Sequence, residues 1–404
     1  MKLTVLALLL SSLIGFDDWF TGSTLRLDYI FAGDSGSQNI YFMEAARTGE
    51  WAGRRSNLDE TLLRGNGEIR LLDPDSGATL YVNSFSTLFQ EWVSYEEATQ
   101  VKKGFENCFQ VPFPKVPVLV QITLWDSYGR ESATLTHRID PSDILIRQVR
   151  DTCLENRIVF YGNRPEKAID ILIVSDAYTE AERDKFFADA ARSRDALLGH
   201  EPFKSNASRF NIRAVFAPSA DSGPSIPHEN LWNRTALGSH FDTFYSERYL
   251  TTSRMRQVWD AAGTLPFEQI IVLVNTPVYG GGGIYNNVTV MGSDHPTFRS
   301  VIVHEFGHAF GALADEYFYD DMYESPYPLS VEPWEPNITT KVDFASKWED
   351  MMGQDGVGLY EGGGYTSHGV FRPVPECRMK INECDSFCPV CTRALIRMMD
   401  YLTE

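Results

Sequence analysis

Positive charge is what this sequence has little of: 36 Lys and Arg stand against 55 Asp and Glu, for a formal charge of −19. That balance argues against nucleic acid and against anionic membrane surfaces as partners, and it points to no specific basic partner. Long apolar runs are also scarce. After the first 14 residues no stretch is long and apolar enough to suggest a membrane span. The six cysteines begin only at Cys108, which excludes a lipid anchor attached at an N-terminal cleavage site. No Lys-Ser/Thr follows the glycine run at 280–283, which excludes a phosphate loop, and no internal repeat is present. The remaining composition, 43% hydrophobic and 23% charged over 404 residues, is that of a soluble globular chain with length for two or three domains.

The start of the chain reads as an export signal. Lys2 supplies a positive end, Leu3 to Ile14 a short apolar region, and Ser11, Ser12 and Gly15 the small residues near its close. Residues 1–22 are therefore expected to be signal peptide and leader, and the protein periplasmic or extracellular. Export favours disulfides among the cysteines: Cys108 with Cys153, and one of three pairings among Cys377, Cys384, Cys388 and Cys391. The alternative is a structural zinc held by four thiolates, because Cys388-Pro-Val-Cys391 has zinc-ribbon spacing.

One stretch, Val301 to Tyr317, carries the chemistry. His304-Glu305-x-x-His308 on a helix sets two imidazoles one turn apart on one face, where both nitrogens reach a single Zn²⁺ at about 2.0–2.1 Å and Glu305 reaches a water beside it. Apolar Val301, Ile302 and Val303 precede the motif, and Phe306, Phe310 and Leu313 recur at helical spacing, as expected of a buried helix. Gly311 is a place for the helix to end. The third ligand is less direct. Metzincins read HExxHxxGxxH, and the tenth position after the first His is Ala314 here. Asp315 follows, but an unbroken helix would carry it about 10 Å beyond His308. It serves only if the chain folds back at Gly311. Glu316 is the alternative, with Glu324 and His368 behind it.

Around this stretch the chain divides in two. Residues 23–150 alternate or run apolar between Gly, Pro, Asp and Asn turns, which predicts an N-terminal β-sandwich. Residues 151–404 alternate strands and helices. Apolar strands are expected at 168–175, 210–216 and 269–275, a helix capped by Thr179-x-x-Glu182, another over 253–262 and a last one over 391–402. Gly280 to Gly283 reads as a loop leading into an edge strand at 287–291, and the aromatic, loop-rich 318–376 as the wall of a cleft.

Several of these segments together resemble the IgA-peptidase family of secreted bacterial zinc metallopeptidases. They are Asp176-Ala-Tyr178-Thr-Glu with Phe186-Phe-Ala-Asp189, Glu201-Pro-Phe, Arg209-Phe-Asn-Ile, Ala217-Pro-Ser-Ala-Asp-Ser-Gly223, the glycine run, the histidine motif with Leu313-Ala-Asp-Glu-Tyr317, and Cys377-Arg-Met379 with Phe387-Cys-Pro-Val-Cys391. The resemblance covers roughly residues 164–404. It implies a multidomain α+β chain, a β-sandwich followed by a metzincin-like α/β zinc-peptidase domain, and it gives Met379 the role of a soft floor beneath the metal. The expected activity is hydrolysis of peptide bonds in a protein or glycoprotein, with His304, His308 and Asp315 (or Glu316) on Zn²⁺ and Glu305 activating the zinc-bound water. Tyr365 and His368, beside Gly362-Gly-Gly364, are candidates to stabilise the transition state. A reading from another class, an adhesin or glycan-binding protein with an inactive peptidase-like domain, is disfavoured by the intact Glu305.

Overall fold

The computed structural model describes residues 15–151, 153–321 and 325–403. Residues 1–14 of the expected signal peptide and leader, and the alternative ligand Glu324, lie outside them. Among the described residues, no helix is long and apolar enough to cross a membrane. The fold is mixed α/β with several sheets.

A short helix α1 (Phe16–Trp19) leads into β1 (Phe20–Gly33). Phe16 and Phe20 are buried in the first apolar core, so packing begins ahead of the boundary expected at residue 22. β2 (Gln38–Glu50), β3 (Gly67–Leu72), β4 (Thr79–Phe85), helix α2 (Leu88–Trp92), β5 (Lys103–Pro114), β6 (Val118–Trp125), β7 (Glu131–Ile139) and β8 (Arg147–Gln148) follow. They make two four-stranded sheets, β5-β1-β2-β8 and β4-β3-β6-β7. Strand periodicity explains how both feed one core: Leu25, Leu27, Tyr29 and Phe31 of β1 and Val118, Val120, Ile122 and Leu124 of β6 all point into it. The opposite face of β1 is not solvated. Arg26 and Asp28 are buried there against the second half of the chain.

After β8 the chain changes sheets. β9 (Glu155–Tyr161), β10 (Ile169–Asp176), β11 (Phe210–Phe216), β12 (Gln269–Val274), β13 (Gly281–Ile284) and β14 (Val288–Gly292) form a six-stranded sheet in the order β13-β14-β12-β10-β11-β9. The four central strands are parallel and both edges antiparallel. Ile169, Ile171 and Ile173 of β10 face one apolar cluster, and Leu172 and Val174 face another. Burial on both sides is why the strand reads as an unbroken apolar run, and each such side chain contributes about 1.5–3 kcal/mol relative to exposure. On the first side lie α3 (Arg183–Leu198), α5 (Phe298–Gly311) and α6 (Pro389–Thr403); on the second lies α4 (Met255–Ala262). The turn ahead of α3 carries the capping box expected from Thr179 and Glu182. At the end of β10 the buried Asp176 carboxylate accepts hydrogen bonds from the Leu237 and Ser239 N–H groups at 2.9 Å and from the Thr235 hydroxyl at 3.0 Å, tying down the 219–239 loop. The loop-rich region holds a small sheet of β15 (Phe318–Tyr319), β16 (Tyr360–Gly363) and β17 (Tyr365–Arg372).

Candidate metal centre

Helix α5 is apolar nearly all round, as suits a helix in the middle of a core. Phe306 and Phe310 stack with ring centroids 5.2 Å apart, and the helix packs against the sheet, α3 and α6. Beyond its first turn, His304, Glu305 and His308 are its half-buried residues. The two histidine Nε2 atoms lie 3.1 Å apart. Each Nδ1 faces a backbone carbonyl, His304 that of Arg378 at 3.0 Å and His308 that of Leu313 at 2.5 Å. A carbonyl only accepts, so Nδ1 carries the proton in the neutral ring and Nε2 presents its lone pair. Two lone pairs 3.1 Å apart repel unless a shared proton or a cation sits with them.

The helix ends at Gly311, and the left-handed residue that turns the chain is Ala312, with φ of 56°. Its N–H bonds to the His308 carbonyl, and that of Leu313 to the Gly307 carbonyl. The reversal brings Asp315 back to the histidines: its Oδ1 lies 3.0 Å from His304 Nε2 and 3.3 Å from His308 Nε2. Oδ1 has no hydrogen-bond partner, while Oδ2 accepts the Tyr365 hydroxyl at 2.6 Å. The three side chains could hold a metal ion together. Burial pulls the His308 imidazole down, but the Asp315 carboxylate outweighs it and holds His308 up at about 9. Burial likewise works to raise Asp315, and His308 and His304 keep it well below the usual carboxylate range. Glu305 is raised, by burial first, against the pull of the same two histidines.

Glu316 points away from this group. Fully buried, it accepts from Asn337 Nδ2 at 2.9 Å and lies beside Cys377, Cys388 and Cys391. Met379 is also fully buried, under α5, where a Cβ on Gly307 would come 2.9 Å from its sulfur. The Met379 carbonyl accepts the Glu316 N–H at 2.8 Å. Tyr365 is brought to the site as a partner of Asp315; His368 is exposed on β17, its Nδ1 3.9 Å from Glu361. The cysteines differ from the disulfide expectation, since no disulfide is formed among the described residues. Cys108 is buried beside Arg26 while Cys153 is exposed, and half-buried Cys384 donates to the Ser386 carbonyl.

Three features of the surroundings go beyond what the sequence predicts. Three of the four glycines of the run, residues 281–283, belong to strand β13, lying against α5: a Cβ on Gly283 would meet the Glu305 carbonyl at 2.1 Å, and one on Gly281 the Glu305 Cγ at 3.2 Å. Tyr249 covers Gly282 and hands its hydroxyl proton toward Glu91 of α2 at 2.5 Å. Burial raises that Glu91 to about 7 against the Tyr249 hydrogen bond and the charge of His308. Tyr317 stands with its ring 5.3 Å from that of Tyr365. Only the glycines left a trace in the sequence, as a run whose bare backbone permits close approach.

Comparison with known proteins adds the family. The model described as IgA Peptidase M64 matches residues 161–356 and 354–399, and the one described as Peptidase M64 N-terminus matches residues 15–136. No curated protein matches the chain. With both models matched, and with the histidine pair, Glu305 and Asp315 inside the span of the first, the chain belongs to the IgA Peptidase M64 family of metallopeptidases.

Proposed function

We propose that the chain is an exported zinc endopeptidase in which His304, His308 and Asp315 hold the metal and Glu305 is the general base. The observation that carries this is the Asp315 Oδ1 atom, which has no hydrogen-bond partner yet lies 3.0 and 3.3 Å from two imidazole Nε2 atoms. Two nitrogens and a carboxylate oxygen suit Zn²⁺, and the carbonyls that engage both Nδ1 atoms are the outer partners such ligands need. When bound, the ion supplies a Lewis acid that polarises the scissile carbonyl.

The chain's own groups do the rest. Glu305, raised by burial, accepts a proton from the attacking water and delivers it to the leaving amine. Tyr365 is a positioning residue: its hydroxyl holds Asp315 Oδ2 and so orients Oδ1. Met379 fills the space beneath α5 with a polarisable side chain. The architecture in this reading is a β-sandwich over residues 23–150 and a metzincin-like catalytic domain over 151–404, with protein or glycoprotein as substrate. Glu305→Gln tests the reading. It should keep the fold and the metal and lose about 10²–10⁴-fold in peptidase activity on a peptide library. Undiminished cleavage by a folded, metal-replete variant would remove Glu305 from the mechanism.

A further inference from the structure

Cys377, Cys388, Cys391 and Glu316 come from three separate places in the chain, and their ligand atoms all lie within 4.8 Å of one another. All four are buried, with Glu316 and Cys391 fully so. Glu316 Oε2 has no hydrogen-bond partner. From this cluster we infer a second metal site, a tetrahedral zinc-type centre of three thiolates and one carboxylate, structural in role and separate from the histidine centre.

The spacing fits. Zn–S bonds of 2.3 Å at tetrahedral angles put two sulfurs about 3.8 Å apart. Cys377 and Cys391 Sγ are 3.8 Å apart, and Cys391 Sγ is 3.1 Å from Glu316 Oε1. A disulfide requires about 2.05 Å. Four-thiolate ligation, the alternative raised by the sequence, is replaced by three thiolates and Glu316, because Cys384 is turned toward the Ser386 carbonyl.

Backbone and side-chain donors face the ligand atoms. The Cys388 N–H points at Cys377 Sγ at 3.3 Å and the Cys391 N–H at Cys388 Sγ at 3.4 Å. Cys388 immediately precedes α6, whose free N–H groups favour its thiolate, and Cys391 lies in the first turn of that helix. Asn337 Nδ2 donates to Glu316 Oε1. Three thiolates, a carboxylate and a divalent ion leave a charge of −2, which these donors offset.

The position gives the site its use. Asp315 and Glu316 are consecutive and face the two centres in turn. Arg378, whose carbonyl orients His304, follows Cys377 directly. A metal on the thiolates therefore clamps both the Asp315 turn and the segment that steadies His304, and the His centre inherits that rigidity.

The test is metal and thiol counting on the full chain, purified without reductant, loaded with zinc and dialysed. The wild type should hold about two zinc equivalents, and His304→Ala about one, since only the histidine centre is disturbed. Cys391→Ser and Glu316→Gln should each lose the thiolate-bound equivalent. With Co²⁺ in place of zinc, sulfur-to-cobalt charge-transfer absorption should persist in His304→Ala and vanish in Cys391→Ser. The wild type and His304→Ala leave the cluster untouched, so the result stands even if a cysteine variant does not fold. A metal-free His304→Ala whose denatured thiol titre is two short of six would mean a disulfide and overturn the site. A metal-free His304→Ala with all thiols present would overturn it as well. Neither outcome bears on the histidine centre, which is read from the zinc that the wild type holds beyond His304→Ala.

Discussion

Asp315 and Glu316 are chemically almost the same residue, yet the turn at Ala312 sends their carboxylates to different clusters. Asp315→Ala should therefore weaken zinc at the histidines by more than about 100-fold, the upper end of what loss of an outer partner costs, while Glu316→Gln, which acts on that centre only through the rigidity of the turn, costs less. A zinc titration giving the reverse order would reassign the third ligand. In the metal-free protein His308 is raised to about 9, so its stabilisation is complete below its ordinary value of 6.5 and is lost as pH rises through about 9. Asp315 is depressed, so its contribution is present above its ordinary 3.8 and is lost as pH falls below that value. At pH 7 the empty centre thus holds a proton that zinc must displace. Calorimetry of zinc binding at the histidine centre, with the thiolate site already filled, in buffers of different ionisation enthalpy should show release of about one proton per zinc, and an absence of buffer dependence would refute this. The histidine pair and Glu305 were legible in the sequence because a spacing of four suffices to define them. Asp315 was legible only through the turn it requires, and the turn falls on Ala312, a residue with no intrinsic preference for positive φ. Glu91 was not legible at all: nothing local distinguishes it from any surface glutamate on a short helix.

At the scale of elements, the centre depends on a strand with almost no side chains. β13 lies close enough to α5 that a Cβ on Gly283 would reach 2.1 Å from the Glu305 carbonyl and 2.9 Å from His308 Cβ. Both contacts are with rigid atoms, so Gly283→Ala should push strand and helix apart. The expected cost is about 1–3 kcal/mol of stability, the usual range for overpacking, together with a drop in kcat/KM because His308 and Glu305 share the displaced turn. Thermal unfolding and peptidase assays on Gly283→Ala check both; an unchanged melting temperature and rate would show that the strand gives way freely. The same element shows where pattern reading falls short. Residues 280–283 lack the side chains whose alternation marks a strand, so they read as a loop. β10, β11 and β12 were readable because helices cover both their faces. The small β15–β17 sheet was hidden in the loop-rich region by its short strands and interrupting glycines.

For the whole molecule, the order of the two halves follows from the switch in apolar periodicity, but their union does not. Arg26 and Asp28 occupy alternate positions of β1 that, read alone, are its solvent face. Instead they are buried against α4: Arg26 holds Asp28 at 2.7 and 2.9 Å and Asp260 at 2.6 Å, while Arg256 reaches Asp28 at 3.2 Å and Glu44 at 2.9 Å. The same half of the chain sends Glu91 to Tyr249 at the edge of the centre, so the N-terminal unit forms part of the wall around the histidine pair. Removing one partner from a buried ion pair leaves the other charge unmatched, at a cost of about 3–5 kcal/mol. Asp28→Asn should accordingly lower the denaturant midpoint strongly and reduce peptidase activity, although residue 28 lies on the other side of the first sheet from its apolar core. Replacing the pair together, as Arg26→Met with Asp28→Leu, removes both charges and should cost less than the single change, because Arg256 keeps Glu44 and partial contact with water. Denaturant unfolding of the three variants decides the matter. If Asp28→Asn unfolds at the wild-type midpoint, or the double variant is the less stable of the two, the network is not what joins the halves.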